Sequence, residues 1–173
     1  MRVIGGEFRS RKLTTVRGLD TRPTPDRLRE ALFNVLAPRI EGVVFVDCYA
    51  GTGAVGIEAL SRGAQRAIFI EKSRTAVDVI RYNLAVLGLE SRAEVLTGRV
   101  STVLERLEAD IIFLDPPYEA EKEYDAAFRA LEQRPSGLVI VQHESRVQLK
   151  DQYGHWKKYR DLRQGSNSLS FFA

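Results

Sequence analysis

The sequence predicts an α/β chain: a mostly parallel, open central sheet with helices on both faces and a C-terminal antiparallel hairpin. Three observations carry that reading. From residue 43 onward, short β-rich runs alternate with helix-length amphipathic segments, the pattern of repeated β-α units. The runs at 43–46 and 111–114 are apolar at every position, as strands buried on both faces are. The last third changes character, with two strand-like segments separated by Gln164-Gly165-Ser166-Asn167, a turn composition.

The elements follow in order. Residues 43–47 form the first strand, and a glycine loop leads into a helix over 54–62 that Gly63 closes. Residues 67–71 form the second strand. Ser73 supplies an N-cap oxygen for a helix running to Leu87, and Gly88 stops it. A third strand over 93–96 is followed by a short helix over 101–107, then a fourth strand over 110–114. A helix over 123–132 ends near Pro135, and 137–142 is the fifth strand. Segments 156–162 and 168–172 form the closing hairpin, which makes at least one terminal strand antiparallel. Upstream, Gly5-Gly6 and alternating basic and apolar positions in residues 1–20 fit a small hairpin. Thr24 or Asp26 can cap a helix over 27–36, with Pro25 near its first turn. Residues 1–40 read as an appendage and 41–173 as the main domain.

Composition narrows the classes. A chain of 173 residues can bury a core without metals or disulfides. At 44% hydrophobic and 28% charged it is ordinary globular protein. Cys48 is the single cysteine, so no intramolecular disulfide forms, and with no signal-like N-terminus a reducing cytoplasm is the expected compartment. Apolar runs are strand-sized, which excludes a membrane-spanning helix. Net charge is +3, unevenly placed. Residues 1–40 hold nine basic and four acidic side chains, a net of +5, and the remainder holds 17 and 19, a net of −2. An arginine-dominated arm on a near-neutral body points to a polyanion, because guanidinium pairs bidentately with phosphate; a solvated charged face is the plainer reading.

The loop after the first strand reads Asp47-Cys48-Tyr49-Ala50-Gly51-Thr52-Gly53-Ala54-Val55-Gly56. Gly51, Gly53 and Gly56 satisfy G-x-G-x-x-G, and Glu71 ends the second strand twenty residues beyond Gly51. That spacing lets a carboxylate receive a ribose diol while the glycines admit a ligand to the backbone. Two details favour S-adenosyl-L-methionine over a dinucleotide. The glycines begin three residues after Asp47 rather than at the strand end. A carboxylate there would also repel a pyrophosphate, yet suits a ligand with ammonium and sulfonium charge. Gly56 also has a purely packing role open to it, Glu71 a solvent-exposed one, and Cys48 reads as small filler.

Asp115-Pro116-Pro117-Tyr118 follows the fourth strand, at the carboxyl edge where open α/β sheets bind ligands. An aryl or amide amine is a poor nucleophile because its lone pair is delocalised. Asp115 and the Pro116 carbonyl, by accepting its protons, localise that pair and aim it at a methyl donor, while Tyr118 stacks on the planar group. Alignment and electrostatics then supply most of the rate.

With both motifs placed, nearly the whole chain resembles the RsmD family of bacterial 16S rRNA guanine-N2 methyltransferases. The resemblance is carried by Arg2-Val3-Ile4-Gly5-Gly6 with Arg11-Lys12-Leu13, by the stretch from Thr21-Arg22-Pro23-Thr24-Pro25-Asp26-Arg27 to Asn34, by residues 47–64, by the Asp115 motif, and by Gly165-Ser166-Asn167-Ser168-Leu169-Ser170-Phe171-Phe172. It implies a Rossmann-like class I methyltransferase fold. It also implies methyl transfer from S-adenosyl-L-methionine to the N2 amine of one guanine in 16S rRNA, by a monomer acting on the 30S subunit or an assembly intermediate. By the same resemblance Thr24 lies at the cofactor, Arg22, Asp26 and Arg27 lie near cofactor and target, and Arg9, Arg11 and Lys12 grip rRNA; Asp26 equally reads as a plain helix cap. One departure stands out: Gly98-Arg99-Val100 occupies the place where many relatives carry an acidic residue near the adenine, and Arg99 cannot accept from an adenine amino group.

His143-Glu144 has no partner in metal-ligand spacing, so no metal is expected; a pocket-rim role is open to the pair, and a satisfied strand end is the simpler reading. Tyr153, Trp156 and Tyr159 interleave with Lys157, Lys158 and Arg160, which fits either an RNA-facing surface or an amphipathic hairpin packed on the sheet. Competing functions are a DNA amino-methyltransferase, for which 173 residues leave no target-recognition region, a non-catalytic RNA-binding assembly factor on the same fold, and a nicotinamide oxidoreductase lacking any evident acid/base set.

Overall fold

The computed structural model describes residues 1–18, 23–117 and 121–173. Its element order is α1 (Asp26–Leu36), β1 (Val44–Cys48), α2 (Ala54–Ser61), β2 (Arg66–Glu71), α3 (Arg74–Leu87), β3 (Ala93–Thr97), α4 (Val100–Val103), β4 (Ile111–Leu114), α5 (Glu121–Ala130), β5 (Leu138–Glu144), β6 (Gln152–Tyr153), β7 (Trp156–Gln164) and β8 (Asn167–Phe172). One eight-stranded sheet runs β3-β2-β1-β4-β5-β8-β7-β6. The five strands β1 to β5 pair in parallel, and β8, β7 and β6 add antiparallel. The chain lays down β1, β2 and β3 outward, then returns to the other side of β1 to begin β4. This reversal opens a crevice at the carboxyl ends of β1 and β4.

Alternation along the strands divides the core. Val46, Ile68, Ile112, Val139 and Val141 face α4 and α5. Phe45, Ile111, Phe113, Leu138 and Ile140 face α1 and α2, and Ala67 and Phe69 face α2 and α3. Helix α3 starts and stops where the sequence says: Ser73 Oγ accepts from Ala76 N at 3.3 Å, and Gly88 takes the left-handed conformation at φ +67°. The closing hairpin is amphipathic and packed. Tyr153 and Trp156 are buried, the Trp156 indole donates to the Leu131 carbonyl, and only Tyr159 of the three aromatics is exposed. β6 falls between predicted elements, and the short helix over 101–107 proves to be one α turn followed by a 3-10 turn at Leu104–Arg106. Among the described residues no helix is long and apolar enough to cross a membrane.

The N-terminal cap differs from expectation. Pro25, extended at φ −56° and ψ 144°, is itself the N-cap of α1, and no side chain caps the helix. Asp26 instead pairs with Arg29 at 3.2 Å and Arg2 at 3.6 Å, and Thr24 turns toward β5. Residues 1–13 fold back on themselves through an isolated Arg2–Lys12 bridge and lie as a strap across α2. Gly6 makes that approach possible: its φ is +79°, and a Cβ there would sit 2.0 Å from the Ser61 carbonyl oxygen. Ser61 Oγ donates to the Gly5 carbonyl and accepts from Phe8 N.

Under the strap lies the fully buried Glu58. Its carboxylate accepts from Ile4 N at 2.9 Å, Gly5 N at 2.8 Å and Arg62 Nε at 2.9 Å, and faces the equally buried Arg29 at 3.7 Å. Arg29 in turn donates to the Arg2 carbonyl at 2.6 Å, and burial lowers the affinity of its guanidinium for its proton. Glu58→Ala leaves the buried Arg29 with only the exposed Asp26 as counter-charge and orphans two strap N–H groups. It is expected to cost about 3–5 kcal/mol in urea unfolding; a loss below about 1 kcal/mol would show that water replaces the pair at no cost.

Candidate active site

A cleft of about 1730 Å³ opens at the crevice between β1 and β4 and spreads along the carboxyl ends of the five parallel strands. On its β2 side the loop after β1 turns through Tyr49, left-handed at φ +61°, and Gly51 at φ +58°. No atom lies within 4 Å of a Cβ built on Gly51, so the backbone there faces open cleft. Gly51 N–H donates to Glu71 Oε2 at 2.9 Å, and Ser73 N–H donates to Glu71 Oε1 at 2.9 Å. Glu71 thus joins the glycine loop to the start of α3 and still has unused lone pairs on both oxygens.

Asp47 is 2% exposed and does a different job. It accepts from Gly56 N at 2.8 Å, satisfying an N-terminal N–H of α2 as a capping side chain does from within the helix's neighbouring strand. Burial raises its carboxyl well above the ordinary carboxylate range, and Asp115 and Glu71 add to the shift. Gly53 lies buried beneath the loop, and Gly56 has its packing role, since a Cβ there would meet Phe69 Cε1 at 2.3 Å. Cys48 is fully buried.

The opposite wall is set by strand parity. Phe45, Phe113 and Ile140 share the face toward α1, so two residues on, Asp47, Asp115 and Gln142 leave the same face of adjacent strand ends. Thr24, 8% exposed, enters from the segment before α1. Its hydroxyl donates to Gln142 Oε1 at 3.1 Å. Burial pushes the Asp115 carboxyl up to about 7, and the nearby Thr24 hydroxyl works against the shift. Pro116 is buried and Pro117 exposed. The Tyr49 hydroxyl donates to Glu123 Oε2 at 2.8 Å, tying the glycine loop to α5, and burial and Glu123 both raise its pKa.

Of the residues singled out from sequence, Thr24, Asp47, Gly51, Glu71, Asp115 and Pro116 meet around this one cleft. Thr24 is bonded to Gln142 and lines the same cleft as Gly51 and Glu71. Arg9, Arg11, Lys12 and Arg27 are exposed and outside the cleft lining, with Arg11 reaching the Val86 carbonyl at 3.4 Å. Arg22 and Tyr118 lie outside the described residues. Arg99 is exposed on the rim, where it is the N-cap residue of α4. His143 is a satisfied strand end, its ring nitrogens 2.8 Å from the Glu144 carbonyl and from Ser170 Oγ, and burial lowers its pKa. Among the described residues no group of three or more His, Cys, Asp or Glu side chains could hold a metal ion. Sequence reasoning missed Gln142 and the Tyr49–Glu123 bond. It also missed Asn83, whose amide joins Thr14 to Thr52 and so pins the end of the strap to the glycine loop. The one available signal was Gln142 itself, a polar residue ending an apolar strand.

The parallel sheet with its reversal at β1/β4, the glycine loop on β1 and the acceptor turn on β4 define a class I methyltransferase. The chain belongs to the RsmD family: the family model described as "Conserved hypothetical protein 95" matches residues 1–173. Ribosomal RNA small subunit methyltransferase D of Escherichia coli is 42% identical over 119 residues, 68% of this chain and 60% of that protein. The protein of the same name from Haemophilus influenzae is 35% identical over 152 residues, 83% of this chain and 79% of its own. The solved structure of YhhF from Escherichia coli superposes with a TM-score of 0.86 at 31% identity, covering 99% of this chain and 96% of that one.

Because burial raises the folded-state pKa of Asp115, its contribution to stability is fully present below the unfolded carboxylate value and is lost as pH rises through about 7. Asp115→Asn is therefore expected to stabilise the protein at pH 8 by on the order of 2 kcal/mol, discounted for cleft water, and to change little at pH 4. Paired thermal melts check this; an equal effect at both pH values would remove the ionisation as its cause.

Proposed function

We propose that this chain transfers a methyl group from S-adenosyl-L-methionine to the exocyclic N2 amine of a guanine in 16S rRNA, acting as a monomer on the 30S subunit or an assembly intermediate. The observation that carries the reading is the meeting, in one cleft, of Asp115-Pro116 with the open Gly51 backbone and Glu71. The names of the Escherichia coli and Haemophilus influenzae relatives support small-subunit rRNA as the substrate.

The cleft suits the cofactor. Glu71 has lone pairs left for a ribose diol, Gly51 leaves room for a ligand against the backbone, and the carboxyl groups of Glu71 and Asp115 line the cleft that would receive the ligand's ammonium and sulfonium groups. Gly51 and Glu71 are the direct contacts of its binding set, which Asp47 and Gly53 support from within the loop and Thr24 completes from the cleft wall. When bound, S-adenosyl-L-methionine supplies a methyl carbon made electrophilic by its sulfonium. On the acceptor side Asp115 and the Pro116 carbonyl accept the two amine N–H groups and point the nitrogen lone pair into the cleft, with Tyr118 stacking on the base. The nitrogen would become positive as its bond to the methyl carbon formed and that carbon's bond to sulfur broke, releasing the neutral thioether, and one nitrogen proton would pass to Asp115. A carboxyl whose pKa is about 7 can take that proton and return it to water at neutral pH. Residues 1–40 are the target side. Arg9, Arg11, Lys12, Arg22 and Arg27 hold phosphates, and the base to be modified is unpaired or flipped, at a cost of a few kcal/mol.

A radiolabelled methyl-transfer assay on naked 16S rRNA, 30S subunits and duplex DNA tests the reading. Label should enter rRNA at guanine N2, and Asp115→Ala should lose at least about a hundredfold in kcat while still binding S-adenosyl-L-methionine. Label in DNA alone would overturn the rRNA assignment. Activity needs Asp115 ionised, so kcat/KM should climb with pH and level off above about 7; a flat profile from pH 5 to 9 would remove Asp115 as proton acceptor. Replacing Arg9, Arg11 and Lys12 together with Gln should weaken RNA binding and reduce the slope of log K against log salt by about 2–3. An unchanged slope would place the RNA surface elsewhere.

A further inference from the structure

The loop after β1 is left-handed at three alternate positions, with φ of +61° at Tyr49, +58° at Gly51 and +82° at Gly53. Glycine adopts that conformation freely, and a bulky residue adopts it only under constraint. Tyr49 is held there from its C-terminal side. Ala50 N–H donates to the Ile70 carbonyl on β2 at 3.1 Å, and Gly51 N–H is taken by Glu71. The conformation has a purpose in the direction of the ring. Strand alternation would send Tyr49 to the α1 side with Phe45 and Asp47. Instead its ring packs on the other side of the sheet, with the core cluster of Cys48, Val100, Leu104 and Tyr124. From there the hydroxyl donates to Glu123 Oε2 at 2.8 Å, 74 residues along the chain. Burial and the Glu123 carboxylate raise the Tyr49 pKa, so the phenol keeps its proton and remains the donor. The bond joins two walls of the cleft. Tyr49 belongs to the glycine loop, and Glu123 to the first turn of α5, where Glu121, Lys122 and Tyr124 also line the cleft.

We propose that Tyr49 and Glu123 are positioning residues for the methyl transfer. Their bond ties the cofactor-binding loop to α5, so that a ligand seated on Gly51 and Glu71 also sets the wall that faces the acceptor base. This rests on the methyl-transfer reading, and it says how donor and acceptor come to share one alignment. Direct transfer between two bound molecules is sensitive to small errors in their relative placement. The β1–β4 ladder, which holds the glycine loop and the Asp115 turn together, ends at the pair Cys48 and Leu114. Tyr49 is the next residue on β1, and its side chain continues the linkage past that point, to α5 instead of to the β4 backbone. Ring and hydroxyl have separate parts. The ring anchors the loop in the core, and the hydroxyl passes the position of the loop to α5. Because the bond itself lies open to solvent, it adds little to the stability of the fold and can break and re-form as a ligand comes and goes. The strained backbone at Tyr49 is what the chain gives up to direct the side chain there.

Amide hydrogen exchange and methyl transfer, measured on the same variants, test the latch. Tyr49→Phe keeps the ring and removes the donor, Glu123→Ala removes the acceptor, and Glu123→Gln keeps an acceptor oxygen. The amides of Asp125, Ala126 and Ala127 close the first turn of α5. In the free protein they should exchange about three- to tenfold faster in Tyr49→Phe and Glu123→Ala, and within about twofold of wild type in Glu123→Gln. Adding S-adenosyl-L-homocysteine should slow these amides in the wild type and leave them unchanged in Tyr49→Phe, while glycine-loop amides slow in both. In the transfer assay each disruption should lower kcat about five- to tenfold, with the KM for S-adenosyl-L-methionine within about twofold of wild type. The double variant Tyr49→Phe, Glu123→Ala should lose no more than either single one, because both remove the same bond. Losses that multiply would overturn the latch, as would an unchanged kcat in Tyr49→Phe or a Glu123→Gln as poor as Glu123→Ala. So would α5 amides that respond to the ligand equally with and without the Tyr49 hydroxyl, since the ring alone would then carry the coupling. A wild-type protein that does not bind S-adenosyl-L-homocysteine would instead sink the methyl-transfer reading. The free-protein exchange rates then decide whether the bond fixes α5, and equal rates in wild type and Tyr49→Phe would dismiss it.

Discussion

The Glu58 carboxylate, buried in the flank of α2, is the constraint on which the placement of the N-terminal forty residues depends. A lone charge in such a position is prohibitively costly, so the surrounding chain has to satisfy it. Four groups do so from three directions: strap N–H groups of Ile4 and Gly5, Arg62 one turn along α2, and Arg29 from α1. Arg29 lacks a hydrogen-bond partner for Nε and Nη1 among the described residues, so the pair is held more by charge than by geometry. A buried ion pair of this kind is poor evidence of net stability compared with apolar residues of equal volume. Its effect is selective. Strap, α1 and α2 can assemble in one relative arrangement only, because any other leaves Glu58 or Arg29 buried and alone.

That arrangement reaches the cleft through α2. The N-terminal end of this helix is held by Asp47, its middle by Glu58, and its last residue, Ser61, by the strap. Fixing α2 fixes the glycine loop that precedes it, and fixing α1 fixes Thr24 and Pro23 on the far wall. Asn83 closes the circuit by bonding the strap at Thr14 to the loop at Thr52. The strap and the residues that follow it therefore have two faces with separate duties. Arg9, Arg11 and Lys12 point to solvent, while Met1, Thr15 and Val16 line the cleft. In the proposed reaction the segment that meets RNA is also a wall of the chamber where the base reacts.

Much of this was legible in the sequence, and what was missed has a common physical cause. Periodicity found the five parallel strands and the closing hairpin, because burial on two faces or one leaves a local signature. Ser73 and Gly88 bounded α3 correctly, since capping depends on neighbours three or four residues away. The glycine loop and the Asp115 turn were visible because both are contiguous. By contrast, the Thr24–Gln142, Tyr49–Glu123 and Arg29–Glu58 contacts join residues 118, 74 and 29 positions apart, and no local pattern marks either partner. Capping logic also misled at α1. Thr24 and Asp26 have the right chemistry for an N-cap, but Thr24 is taken by Gln142 on β5 and Asp26 by Arg29 within the helix and Arg2 of the strap, and Pro25 starts the helix with its fixed backbone angle.

The three cleft carboxylates show why residue type alone did not settle their roles. Asp47, fully enclosed, turns inward to an α2 N–H, and so acts on a ligand through the position of the glycine loop. Glu71 spends one oxygen on Gly51 and the other on Ser73, which fixes its plane and leaves its remaining lone pairs directed outward. Asp115 follows β4 at the wall of the cleft, and burial pushes its carboxyl up to about 7. A carboxyl brought near neutral pH by burial can take a proton as the reaction proceeds and release it to water afterwards, which is the part that the proposed transfer asks of it.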